Sequence, residues 1–348
     1  MGSIPPAGTI LSLLQVNLLT APSEPPHRTP PLSTPLPDLL LVNPVAGGGL
    51  GSKILSGLQQ LAVEHHWPIE IAVTASPDDF TQKARQAACA GHRRIFAVGG
   101  DGTFQVLLNA LQDAPQIVLG VIPAGGGNDL AAALGLPDDP LRAAIMLIQG
   151  EVCELDAVRV RTSEGHEVLY TGGGGVGLDA EASRFASTAY RNFHGRLRYL
   201  LSAVRALAGF HAFQTTITTG PEEVPLHLQK ALVACVLNTP SYGAGLALAP
   251  EAVTDDGRLD LVLLEDLSLW EIVSLLPSLA FYGQLNTVRM TRRSVTHVRI
   301  QTDPPRSFHG DGEILGTTPV EISVVPRACR VLRAPRPSSS FGPTSGST

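Results

Sequence analysis

The chain has 348 residues, enough for two domains of ordinary size, and at 44% hydrophobic and 16% charged it should build cores rather than stay unfolded. A formal charge of −6 argues against a general nucleic-acid binder, whose footprint is basic. Cys89, Cys153, Cys235 and Cys329 are scattered without C-x-x-C spacing and no H-x-x-x-H pair occurs, which argues against a zinc site and points to reduced thiols in a cytoplasmic protein.

Residues 1–36 form an extension that becomes proline-rich from about residue 21, a composition that resists helix and sheet alike. Its short apolar run has no basic segment before it, and Pro6 stands where a myristoylation signal wants Ser or Thr. No segment reaches the ~18 uncharged apolar residues of a membrane span. Any membrane contact is therefore expected at the surface, as a peripheral one.

From residue 37 to 155, short apolar runs alternate with helical patterns. "DLLLVNP", "IEIAVTA", "RIFAVGG" and "IVLGVIPAG" read as strands; "SKILSGLQQLAVEHH", "PDDFTQKARQAACAG", "TFQVLLNALQ" and "LRAAIMLIQG" read as helices. That alternation predicts a parallel sheet with helices on its faces, and such sheets bind ligands at the carboxyl ends of their strands. There the chain places "NPVAGGG", "TAS", "GGDGT" and "PAGGGND".

From 156 to 333 the texture changes to strands in succession: "ELDAVRVRT" across the boundary, then "HEVLYTGG", "FQTTITTG", "LHLQKALVACVLN", "LDLVLLED", "VTHVRIQT" and "VEISVVP". Helical segments interrupt them near 182–208 and 268–284. This predicts a second, mostly antiparallel β domain, whose last strand has the option of returning to the first domain, and residues 334–348 read as a disordered tail.

Glycine at a strand end lets the backbone approach a ligand, and the amides opening the next helix suit phosphate oxygens. In "GGDGT" Asp101 either shapes a turn or faces a metal ion on those phosphates. "NPVAGGGLGSK" is not a Walker A loop, because Ser52 precedes Lys53, and it does not fit G-x-G-x-x-G.

Taken in order, "NPVAGGG", "GGDGTFQ" and "PAGGGNDLA", followed by "NTPSYGAGLALAPEAVTDDGRLDLVLLE" and "HGDGEILG", resemble the lipid kinase family of diacylglycerol kinases, sphingosine kinases and YegS-like enzymes over roughly residues 37–333. The resemblance implies an α/β nucleotide domain of the NAD kinase/diacylglycerol kinase type beside a β-sandwich domain. It also implies an ATP- and Mg²⁺-dependent kinase of a lipid hydroxyl, acting on diacylglycerol, a sphingoid base or a related lipid at a membrane surface. Nucleotide contacts would fall on Asn43, Thr74, Gly99, Gly100, Asp101, Gly102, Thr103, Phe104 and Gln105, and on Gly125, Gly126, Asn128 and Asp129 of the fourth-strand motif. Asp101 would help handle phosphate-bound magnesium, and either Asp311 or Glu313 would accept the hydroxyl proton. Without the family, Asp311-Gly312 is a hairpin turn and Glu313 a solvated strand residue. "VTDDGRLD" resembles a structural magnesium loop with the carbonyls of Val253 and Arg258 and the side chain of Asp256 as ligands; it also reads as a plain turn.

Two positions depart from the family pattern. Gly126 stands where threonine is usual, and Gly172 where asparagine is usual. They leave room for a non-catalytic nucleotide- or lipid-binding relative, and the shared GGDGT for an NAD kinase-like enzyme. Arg184, Arg191, Arg196, Arg198 and Arg205 make a basic run suited to anionic lipid or simply to solvent. The pattern assigns no oligomeric state.

Overall fold

The near-continuous apolar run Leu39–Val42 is buried on both faces of its strand, as a parallel strand covered by helices requires. The computed structural model describes residues 35–178, 205–206, 210–220, 224–243, 245–268 and 287–335, with positions 270, 271, 274, 275, 278 and 285. The N-terminal extension before Pro35, the tail from 336, most of the two expected helices at 182–208 and 268–284, and Arg184, Arg191, Arg196 and Arg198 lie outside the described residues.

In chain order the first part comprises β1 (Asp38–Val42), α1 (Ala46–Lys53), α2 (Leu55–Glu64), β2 (Ile69–Val73), α3 (Pro77–Ala90), β3 (Arg94–Gly99), α4 (Asp101–Leu111), β4 (Val118–Pro123), α5 (Asp129–Ala133) and α6 (Pro140–Ile148). Local signals set several ends. Ser76 caps α3 by accepting the Asp79 amide at 3.1 Å ahead of Pro77, and Gly91 closes it with a left-handed φ of 99°. Asp139 caps α6 by accepting the Arg142 amide at 2.8 Å. The glycines of "NPVAGGG" fold into an irregular helical turn rather than an open strand-end loop: Gly47, Gly48 and Gly49 all have positive φ.

The second part comprises β5 (Glu151–Thr162), β6 (Glu167–Tyr170), β7 (Gly173–Gly177), β8 (Phe213–Thr218), β9 (Leu226–Leu237), β10 (Leu259–Glu265), β11 (Met290–Val295), β12 (His297–Asp303), β13 (Ser307–Gly310), β14 (Glu313–Thr317) and β15 (Val320–Arg333). Strands β2-β1-β3-β4 are parallel, β15 joins β4 in parallel, and the remaining pairs are antiparallel. The two parts share one ribbon. Val320–Val325 of β15 pairs with Ala157–Thr162 of β5; after a bulge, Cys329–Arg333 pairs with Glu151–Leu155 and lies parallel to β4. One hydrophobic core lies around β1, β3 and β4, and a second lies among β8, β9, β10, β12 and β15.

Register positions the site. Gly99 of β3 pairs with Pro123 of β4, so the two glycine-rich turns leave the sheet side by side. The backbones touch there: a β-carbon placed on Gly125 would lie 2.4 Å from the Gly100 α-carbon.

Candidate active site

Strand β3 delivers Gly100 to the start of α4, whose first residue is Asp101. The Asp101 side chain turns away from its own helix: Oδ2 accepts the Asp129 amide at 3.2 Å and Oδ1 the Leu130 amide at 3.1 Å. It therefore caps α5, a role beyond both the turn and the metal expectations. Asn128, at a left-handed φ of 58°, accepts the Gly125 amide at 3.0 Å and holds the second turn closed.

Asn43 bridges from β1, donating from Nδ2 to Thr103 Oγ1 at 3.1 Å and accepting the Val45 amide at 3.2 Å. Thr74 is buried at the end of β2 with its hydroxyl on the Val42 carbonyl. Thr103 is buried against Gly99. Phe104 is wholly enclosed in the first core and its amide bonds Gly100 O, so its side chain belongs to packing. Gln105 is buried, and its Nε2 has no partner among the described residues. Gly126 lies half-buried in the β4–α5 turn.

The other half of the site arrives on the β13–β14 hairpin. Asp311 and Gly312 occupy its two-residue turn with φ of 50° and 88°, the backbone that Asp-Gly favours. The turn reading is thus what the backbone does, yet the Asp311 carboxylate is also the half-buried centre of a cradle. Oδ2 accepts the Thr171 amide at 2.9 Å and its hydroxyl at 3.3 Å; Oδ1 accepts the amides of Gly172 at 2.9 Å and Gly173 at 3.2 Å. Burial pushes Asp311 up to about 6, although each of those bonds pulls the other way.

Asp129 is the third acid of the cleft, and the most buried of the three. Its Oδ1 accepts the Ser241 hydroxyl at 2.7 Å and the Gly245 amide at 2.9 Å, both from the loop after β9. Burial, then the nearby carboxylates of Asp129 and Asp311, push Asp101 up to about 7. Glu313, by contrast, is exposed. A β-carbon placed on Gly102 would lie 3.4 Å from Glu313 Oε1 and 3.4 Å from the Asp311 carbonyl oxygen. Gly102 and Glu313, 211 residues apart in sequence, thus meet in one cleft, with a carboxylate over the amino end of α4.

The loop "VTDDGRLD" lies apart from the acids of the cleft. Val253 and Asp256 are exposed, and Asp256 Oδ1 accepts the Arg258 amide at 2.9 Å. The Arg258 guanidinium goes to Ser294. Burial raises Asp260, and the acids Asp256 and Glu251 raise it further. Asp156, which sequence reasoning passed over, pins this loop: buried at the start of the second part, it accepts the amides of Gly257 at 2.6 Å and Arg327 at 2.7 Å. No cluster of three His, Cys, Asp or Glu side chains suited to a metal occurs among the described residues, and no helix among them is long and apolar enough to cross a membrane.

Two family models match the chain: a diacylglycerol kinase catalytic domain over residues 37–160, and a YegS C-terminal NAD kinase beta sandwich-like domain over residues 172–333. A diacylglycerol kinase of Mycobacterium tuberculosis is 32% identical over 302 residues, covering 84% of this chain and 94% of that protein. One from Bacillus subtilis is 27% identical over 285 residues, covering 81% and 91%. The crystal structure of a diacylglycerol kinase from Bacillus anthracis superimposes with a TM-score of 0.61 at 20% identity, covering 86% of this chain and 97% of that one, a likeness of fold. The chain belongs to the diacylglycerol kinase catalytic-domain family of lipid kinases.

Proposed function

We propose that this lipid kinase moves the γ-phosphate of ATP to the hydroxyl of a membrane lipid, with diacylglycerol the first candidate acceptor because relatives bear that name. The observation that supports it best is Glu313 facing Gly102 at the amino end of α4. In this reading the nucleotide phosphates lie along the glycine turns at Gly99–Thr103 and Gly125–Asp129, near exposed backbone and a helix amino terminus.

Glu313, rather than Asp311, is then the base. Asp311 is half-buried and saturated by four donors, which suits it to fixing the hairpin; Glu313 is exposed at the cleft. The lipid oxygen attacks the γ-phosphorus as its proton passes to the Glu313 carboxylate. The new O–P bond forms as the bond to the β-phosphate oxygen breaks, and ADP leaves.

The donor chemistry fits magnesium at two places. Around Asp101, whose proton affinity is raised by burial and then by the carboxylates of Asp129 and Asp311, a cation would offset that crowding. At the 253–258 loop, Asp256 with the carbonyls of Val253 and Arg258 offers hard oxygen donors among further acids. When bound with ATP, the ion would neutralise phosphate charge. The acceptor lies in a bilayer, so the chain acts at a membrane surface, and the arginines at 184–205 supply charge for that contact.

The test is purified protein with radiolabelled ATP, Mg²⁺ and vesicles carrying diacylglycerol, sphingosine or total lipid extract, with a Glu313→Gln control and an NAD control. Labelled phosphatidic acid, lost in the control, is expected. Folded protein that labels none of the lipids sinks the reading, and labelled NADP would replace it.

A further inference from the structure

The β13–β14 hairpin that carries Glu313 is hydrogen-bonded to the rest of the sheet on one side only, through β13 to β7. β14 is paired with β13 and with no other described strand. The Asp311 cradle ties the turn to residues 171–173 on that same side, and a second tie toward the glycine turn of the other half matters because a shift of about 1 Å at a reacting group can cost a hundredfold in rate.

The loop after β9 reaches both halves within six residues. Ser241 and Gly245 grip Asp129 Oδ1 at 2.7 and 2.9 Å, and the Asp129 amide is itself held by Asp101. Between them, Tyr242 closes the loop through backbone bonds with Leu246 at 2.9 and 3.2 Å and sends its hydroxyl to His309 Nε2. His309 is buried in β13, four residues before Glu313, with Nδ1 on the Gly175 carbonyl at 2.9 Å. A carbonyl only accepts, so Nδ1 carries a proton, and the unprotonated Nε2 then accepts the hydrogen bond from the Tyr242 hydroxyl. The sheet makes room for this contact: a β-carbon on Gly173 would lie 2.5 Å from Tyr242 Cδ2.

We infer that residues 241–243, 245 and 246 form a strap between the halves, and that Tyr242 and His309 are positioning residues that hold the Glu313 hairpin at its distance from the glycine turn. The first half sets the strap through Asp129; the strap sets β13 through the Tyr242–His309 bond; β13 sets Glu313. The inference rests on Glu313 serving the proposed transfer for its consequence in rate, but its geometry is testable alone.

The experiment compares wild type, Tyr242→Phe, His309→Asn, their double variant and Ser241→Ala as full-length protein. Amide hydrogen exchange should quicken about tenfold at residues 309–314 in Tyr242→Phe, with β1, β3 and β4 unchanged. With labelled ATP and diacylglycerol vesicles, kcat should fall about tenfold while KM for ATP stays within about twofold. The double variant should be no slower than the slower single one, because both remove the same bond. Ser241→Ala, which leaves the Tyr242–His309 bond intact, should loosen residues 241–246 and 309–314 together. Unchanged exchange at 309–314 in both Tyr242→Phe and Ser241→Ala overturns the strap, as does faster exchange with an unaltered kcat. Exchange that rises equally in β1–β4 also overturns it, by showing general destabilisation. A wild type that labels no lipid overturns the kinase reading instead, and the exchange result still decides the strap.

Discussion

Gly102 and Glu313 face each other across the cleft, with only enough space between them that a β-carbon on the glycine would reach 3.4 Å from the carboxylate oxygen. In the proposed transfer the reacting phosphate comes to this part of the cleft, so each side gives a separable variant. Glu313→Gln keeps size and removes the base; the phosphorylation rate should fall about a hundredfold or more, with ATP affinity nearly unchanged. Gly102→Ala adds a methyl at ordinary contact distance and should fold, yet weaken nucleotide binding measured by calorimetry. Full phosphorylation by Glu313→Gln would show that the proton goes elsewhere.

Asp311 makes a different forecast. Its two oxygens accept three amides and a hydroxyl, so an amide side chain there would point an N–H at other N–H groups. Asp311→Asn should therefore cost about 2 kcal/mol of stability, seen as a lower denaturation midpoint, before any effect on rate is considered. Glu313→Gln should leave that midpoint nearly unmoved. Equal stability of the two variants would contradict the cradle.

The pH dependence follows from the buried acids. Asp101 moves from 3.8 to about 7 and Asp311 from 3.8 to about 6 on folding. Below pH 3.8 both are protonated whether folded or not, so they contribute no difference. Between 3.8 and about 7 the unfolded chain releases these protons first, so the folded state loses relative stability as pH rises; above about 7 the cost is constant. The ligand-free protein should melt at a higher temperature at pH 5.5 than at pH 8, and Asp101→Asn should flatten that slope. A melting temperature that rises from pH 5.5 to 8 would go against it.

Three of the four parallel strands were legible because Leu39–Val42, Ile95–Val98 and Val118–Ile122 are apolar runs bounded by turn residues, and burial on both faces needs nothing more. Strand β7 was not. "GGGVG" lacks every local strand preference, and its glycines make sense only beside Tyr242, His309 and Leu232, which the sequence does not place nearby. The site divides similarly. The glycine turns and the Asp-Gly-Glu segment announce themselves as motifs, whereas Asp156 acts through amides 101 and 171 positions away and the Tyr242–His309 bond spans 67. Asp101 lies between these cases. Its position in the turn was readable, but its bonds to the α5 amides depend on the β3–β4 register.

The glycine at 172 can be tested by restoring the residue usual in the family. A β-carbon there would stand 2.8 Å from Asp311 Oδ1, an atom fixed by two amides, so it cannot simply swing aside. Gly172→Asn alone should lower both the melting temperature and the phosphorylation rate. If it raised activity, the missing amide rather than the space would be what this chain lacks.

The arginine run carries the last prediction, on charge alone. Arg191, Arg196 and Arg198 sit among aromatic and apolar residues in "AYRNFHGRLRYLL", a composition that pairs guanidinium groups with side chains suited to the lipid interface. Each basic residue near an anionic surface contributes about 1 kcal/mol, and screening by salt erodes it. Replacing the three by glutamine should weaken sedimentation with phosphatidylserine vesicles by about a hundredfold at low salt and by much less at high salt. Binding to neutral vesicles should be unchanged. If the variant sediments as the wild type does under both conditions, these arginines face solvent, and the protein must reach its acceptor through some other surface.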